Sequence, residues 1–260
     1  MDRETLIKSY VGEARVLDFY LNLGTIENYL DLVAAAIESD IKLEFYNHNL
    51  HTLYLYYKDQ RLRELYKDSV VVLDGMPFVW LLKAMGYPAR KDHRVTYAQF
   101  IWPLLQRANE EGWRVFYVGA SSDIQQAAFR NIRARWPDIR LTGHHGYFDI
   151  SRNSPESREL VKQINDFNTD LCIVGMGTPR QEYWVGDHRD NIDAPAVMFS
   201  GACIEYVAGH VGTPPSWMGT MGLEWSYRLI ENPRRFAFRY LVEPWVLATM
   251  ILAKRFNLQR

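Results

Sequence analysis

Apolar positions recur along this chain in two alternating rhythms, and their order predicts the fold class. LEFYN, SVVVL, RVFYVG, DLCIVG and AVMFS have the length of buried strands, and each ends at or beside an asparagine, an aspartate or a glycine. Between them the spacing turns helical. Thr25 can cap a helix through Ser39 that carries Ile26, Tyr29, Leu30, Val33 and Ile37 on one face, and NLHTLYLYYK reads as another helix. Pro77 opens a helix to about Met85, and a further one covers about Tyr97 to Asn109. Ser121 or Ser122 caps a helix to about Arg135, and Pro155 starts one that runs to Asn168. With a strand near residues 140–142, the series predicts a Rossmann-like, doubly wound α/β fold with a mainly parallel sheet and helices on both faces. Ligands in that architecture bind at the carboxyl ends of the strands.

Composition narrows the class. A chain of 260 residues with 48% hydrophobic content can bury one substantial core, and a net charge of -1 argues against a nucleic-acid partner. MDRETLIKSYVGEARV has no signal-peptide pattern, and no stretch reaches the ~20 apolar residues of a membrane span, so a cytoplasmic protein is expected. Cys172 and Cys203 sit at strand-like runs and suit reduced, buried thiols. The charge is uneven: residues 228–260 hold seven basic and two acidic side chains, which leaves the remainder at -6. This shift predicts an α/β domain over 1–223 and a helical, basic and apolar appendage over 224–260. FAFRYLVEPWVLATMILAKRF interleaves apolar and cationic residues as a membrane-surface element does; a final helix packed on the core with a solvated basic face is the other reading.

The strand-end rule gathers scattered polar residues into one crevice: Asn47 and Asn49, Asp74, Gly119, His144 to Tyr147, Gly175 to Gln181, and Gly201 to Glu205. In DLCIVGMGTPRQEYW the strand breaks at Gly175 and Gly177 and a helix restarts at Pro179. Backbone N–H groups then point at a spot suited to a phosphate, with Gln181 and Glu182 beside it, although an ordinary βα turn has the same pattern. Tyr147 could stack on a base or serve as a strand-edge tyrosine. YVGASSDIQ supplies one glycine where a dinucleotide fingerprint needs three, and no P-loop or Asp-x-Asp pair occurs. His144 and His145 lack a partner at metal-ligand spacing, so neither a metal nor a cofactor is expected. A diphosphate held without metal needs helix N-termini and arginines, for which Arg94, Arg234, Arg235 and Arg239 are available. Asp74 ends an apolar strand, where partial desolvation would raise its pKa toward that of a working base, and Asp-Gly-x-Pro is also good turn chemistry.

Six ordered blocks, VLDGMPFVWL, RVFYVGASSDIQ, WPDIRLTGHHGYF, GMGTPRQEYW, GACIEYVAG and GLEWSYRLIENPRRFAFRY, give the chain a resemblance to the bacterial WecG/TagA/CpsF glycosyltransferases from about Val16 to Tyr240. The resemblance implies an inverting enzyme that moves a sugar, commonly of the N-acetylmannosamine type, from a UDP donor to a polyprenyl-diphosphate-linked saccharide. It implies work at the inner face of the plasma membrane in cell-surface polysaccharide synthesis. Asp74 then falls on the family's proposed catalytic base, and Asn49, Arg94, Tyr147, Gln181 and Glu205 on expected contacts to the sugar nucleotide. The arginines after Glu231, Arg234 and Arg235 among them, fall in the membrane-associating tail, where they would meet the leaving UDP or the acceptor's diphosphate. One apolar-basic helix binds a membrane weakly, so a homo-oligomer would help by multivalency.

The chain departs from the family pattern in three places. Asn47 stands where a threonine is usual, Tyr97 and Gln99 replace a glycine and an aspartate, and Glu205 replaces an aspartate. The departures bear on the donor, which widens to a hexose or N-acetylhexosamine. A non-catalytic nucleotide-binding module and a dinucleotide-dependent enzyme remain alternatives on the same fold.

Overall fold

The computed structural model describes residues 1–210, 212, 218 and 221–257, without the side chains of Arg235 and residues 254–257. Helix α1 (Arg3–Tyr10) leads into a hairpin, β1 (Gly12–Val16) and β2 (Phe19–Leu23), which the sequence pattern does not announce. Then α2 (Ile26–Glu38), β3 (Leu43–His48), α3 (Leu50–Lys58), α4 (Gln60–Tyr66), β4 (Val70–Leu73), α5 (Met76–Ala84) and α6 (Tyr97–Glu110) follow. The second half runs β5 (Val115–Gly119), α7 (Ser122–Arg135), β6 (Leu141–His144), α8 (Pro155–Asp166), β7 (Leu171–Gly175), α9 (Arg180–His188), β8 (Ala196–Phe199) and α10 (Cys203–Val207). The chain's last part holds α11 (Glu224–Glu231), α12 (Pro233–Ala237), a π-helical turn (Phe238–Val242) and α13 (Glu243–Asn257).

Among the described residues the strands form one sheet in the order β1-β2-β4-β3-β8-β7-β5-β6. Only the β1–β2 pair is antiparallel; every other neighbouring pair is parallel, as the expected doubly wound sheet requires. Successive side chains of a strand point to opposite faces, so a sheet covered on both sides needs unbroken apolar runs. Val70 and Val72 join one core with Val115, Tyr117, Ile173 and Met198, packed under α2 and α6. Val71 and Leu73 join the other with Phe116, Val118, Val174 and Phe199, packed under α3, α5, α8 and α9.

Helix starts follow local chemistry. Thr25 caps α2 in a capping box with Asn28, and the Asn49 side chain caps α3 by accepting from the backbone of His51 and Thr52. At the end of β4 the chain turns through Gly75, whose φ of 116° is costly for any residue with a Cβ. That turn leaves Asp74 at the carboxyl edge of the sheet. The last helices return to this edge: α13 lies on α3, with Leu247 buried in the second core.

Candidate active site

Asp74 is fixed from both sides. Its backbone N–H donates to the His48 carbonyl at 2.7 Å, extending the β3–β4 ladder by one step, and its Oδ2 accepts from Asn47 Nδ2 at 3.3 Å. The Val95 N–H donates to the Leu73 carbonyl at 2.8 Å, which draws the loop carrying Arg94 alongside β4. Burial lifts the Asp74 carboxyl above its ordinary pKa and Glu224 adds to the rise, while Arg228, Arg94 and the Asn47 amide pull it back. The outcome is a carboxylate that holds a proton more readily than a solvated aspartate does.

A cavity of about 220 Å³ opens in front of Asp74, with Asn49, His51, Arg94, Glu224, Trp225, Arg228, Arg239 and Tyr240 in its wall. Its floor comes from the sheet edge and its roof from α11 and the π-helical turn. Arg94 is buried and donates from Nη2 to Glu224. Arg239 donates to Asn49 Oδ1 at 3.2 Å, so the side chain that caps α3 also ties down the roof. Burial opposes the charge of Arg228, but Tyr206, Tyr240, Asp74 and Glu224 outweigh it; its Nε has no hydrogen-bond partner among the described residues. The roof is held further by His51 Nδ1 and Glu243 at 2.7 Å. Three guanidinium groups thus face one cavity whose carboxylates are Asp74 and Glu224.

Gly119, Tyr147, Gly177, Gln181, Glu182 and Glu205 lie elsewhere along the sheet edge, Arg234 lies on α12, and among the described residues none of them lines this cavity. Gly119 brings backbones together: a Cβ there would sit 2.4 Å from the Gly175 carbonyl oxygen. Gln181 and Glu182 are 2% and 1% exposed, so both side chains point inward. The Gly177 N–H, which the sequence directs at a phosphate, donates to Gln181 Oε1 at 3.2 Å. Glu182 Oε1 accepts from Gln181 Nε2 at 2.9 Å and from Thr178 Oγ1 at 2.8 Å, and burial raises its pKa. Tyr147 is 76% exposed on the loop after β6, and Arg180 ties that loop to α9 through the Gly146 and Phe148 carbonyls. Glu205 is half-buried on α10 and Arg234 is exposed on α12; the Arg235 side chain lies outside the described residues. Among the described residues no three His, Cys, Asp or Glu side chains group closely enough to hold a metal ion, and no helix is long and apolar enough to cross a membrane.

The profile of the Glycosyl transferase WecG/TagA/CpsF family matches residues 14–260, which takes in both the sheet edge and its helical roof. The chain belongs to this family of glycosyltransferases. Among individual relatives, the N-acetylglucosaminyldiphosphoundecaprenol N-acetyl-beta-D-mannosaminyltransferases of Staphylococcus aureus strains MW2 and NCTC 8325 / PS 47 are each 30% identical over 167 residues. That match covers 64% of this chain and 63% of either relative.

For a WecG/TagA/CpsF glycosyltransferase, the sequence reading passed over Arg228, Glu224 and His51, and it named Arg239 without placing it. Arg228 and Glu224 sit four residues apart on α11, a spacing that puts both on one face of a helix. That spacing was available in the sequence. Which surface the face meets was not, because the contact joins residues more than a hundred positions apart.

Proposed function

We propose that the chain transfers an N-acetylmannosamine-type sugar from a UDP donor to a hydroxyl of a polyprenyl-diphosphate-linked N-acetylglucosamine. The observation that carries this reading is one carboxylate capable of acting as a base, Asp74, facing three arginines across a small cavity. In the proposed reaction Asp74 takes the proton of the acceptor hydroxyl. The freed oxygen bonds to the anomeric carbon, and the bond from that carbon to the diphosphate breaks on the opposite face, which inverts the configuration. Positioned bases of this kind contribute roughly 10²–10⁴-fold. The charge left on UDP falls to Arg94, Arg228 and Arg239, whose forked donors suit phosphate oxygens. With that charge offset by guanidinium groups, the proposed transfer needs no metal.

The size of the sheet edge supports the same donor. β4 and β7 are three strand spacings apart, about 14 Å, which is the scale of a nucleoside diphosphate. The diphosphate end would lie at Asp74 and the nucleoside toward Gly177 and Tyr147. Residues 224–260 would act as an appendage that roofs the site and meets the membrane carrying the lipid acceptor. Trp80, Trp225, Leu241, Val242 and Trp245 are exposed on or next to that roof, and such side chains favour a membrane interface. The test is a panel of UDP-sugars offered to the full chain with a polyprenyl-diphosphate N-acetylglucosamine acceptor, followed by determination of the product linkage. Transfer from UDP-N-acetylmannosamine with an inverted, β-configured product is the expected result. Absence of transfer from every UDP-sugar sinks the reading.

A further inference from the structure

The cavity that faces Asp74 already contains an anion of the protein's own making. Glu224 is the first residue of α11, and its carboxylate accepts from Arg94 inside the cavity where the other two guanidinium groups converge. The Arg94 side chain is 6% exposed, whereas that of Glu224 is 28% exposed. A buried guanidinium deprived of its partner is costly, so Arg94 needs a negative group beside it at all times. Glu224 is the partner that solvent reaches. Arg228, one helical turn farther along, keeps an Nε–H without a hydrogen-bond partner among the described residues, so the cavity has spare donor capacity beyond the Arg94–Glu224 pair.

We propose that Glu224 is an internal stand-in for a phosphate: its carboxylate occupies part of the diphosphate site in the free protein, and the ligand binds by exchanging with it. This rests on the reading that the cavity takes a diphosphate. The exchange has two consequences. Arg94 passes from one anion to another without being left bare, which keeps the site charged and ordered in the absence of ligand. The affinity for any diphosphate is set below what the arginines alone would give, because each binding event must displace a charge-assisted hydrogen bond.

The experiment titrates inorganic pyrophosphate into the full chain by calorimetry and compares wild type, Glu224→Asp and Glu224→Gln, with unfolding curves to confirm that each is folded. Removing the competing carboxylate should tighten pyrophosphate binding on the order of tenfold in Glu224→Gln, the value of one hydrogen bond to a charged group. Glu224→Asp, which keeps the charge but withdraws it by one methylene, should fall between wild type and Glu224→Gln. Equal or weaker binding in either folded variant overturns the exchange, since it would make Glu224 a support for Arg94 and not its occupant. The probe carries no sugar, so the two readings fail separately. A ranking that holds in a chain inert toward all UDP-sugars keeps the exchange and removes the transferase. A chain that transfers sugar while pyrophosphate affinity ignores position 224 does the reverse.

Discussion

Leu247→Ala tests whether the roof of the site is a locally released element. Leu247 is 3% exposed and is the fully buried apolar anchor of α13 among the described residues, with Met250 and Ile251 half-buried beside it. Two polar contacts assist, His51 with Glu243 and Arg239 with Asn49. Truncating a buried leucine costs about 2–5 kcal/mol through lost transfer energy and the cavity left behind. Burial of one such side chain is itself worth about 2 kcal/mol, so the loss is as large as the apolar share of the attachment. Apart from Leu247, the buried members of the two cores all lie before residue 208, so the helix should come away first. In hydrogen exchange, residues 243–257 should lose protection, and sugar transfer should fall at least about tenfold because Arg239 leaves the cavity with them. The main unfolding midpoint should move little. If α13 instead belongs to one cooperative unit with the sheet, the same loss would lower the midpoint by roughly 10 °C in a chain of this size, with exchange in α13 tracking the core. That result would refute the argument.

Three further outcomes follow from charge and burial. Asp74→Asn should abolish transfer while UDP binding, measured by thermal shift, persists; a variant that still turns over removes Asp74 as the base. Because burial raises the folded Asp74 pKa, wild-type stability falls as pH rises through that titration, and Asp74→Asn should remove this fall in ligand-free protein. His48 is fully buried against Phe19, and burial pushes its pKa down to about 3 from 6.5. The unfolded chain therefore binds the extra proton between those values, so stability rises with pH across that window. His48→Phe should flatten this acid limb in calorimetric scans at stepped pH, and an unchanged limb would place the sensitivity elsewhere.

Much of the fold was legible because its signals are local. The runs SVVVL, RVFYVG and AVMFS became β4, β5 and β8, and Thr25 and Pro155 start α2 and α8 where the sequence places them. The β1–β2 hairpin was missed for a physical reason. Its turn is Leu17–Asp18, with Leu17 itself at a φ of 58°, so none of the glycine or asparagine chemistry that announces a tight turn is present. The site was legible in halves. Asp74 follows from a strand end and Arg94 from the need for a cation beside a diphosphate, whereas the placement of Arg228, Glu224 and Arg239 depends on which surface the last helices choose. Gln181 and Glu182 show the converse limit. Polar residues in a first helical turn look ready for a ligand; here they bond to one another and to a backbone N–H inside the protein, and Glu182 Oε2 is left without a partner among the described residues.

Asp74 is supplied by the first third of the chain, and two of the three arginines that line its cavity, Arg228 and Arg239, come from the last helices. During synthesis the sheet can form while those helices are still unmade, since domains fold from the N-terminus as they emerge. A nascent or prematurely ended chain would then carry Asp74 and Arg94 without Arg228 and Arg239. On the proposed reading it would be folded and silent, its aspartate facing solvent instead of a roofed cavity. Loss of α11 to α13 from a finished molecule would return it to that state.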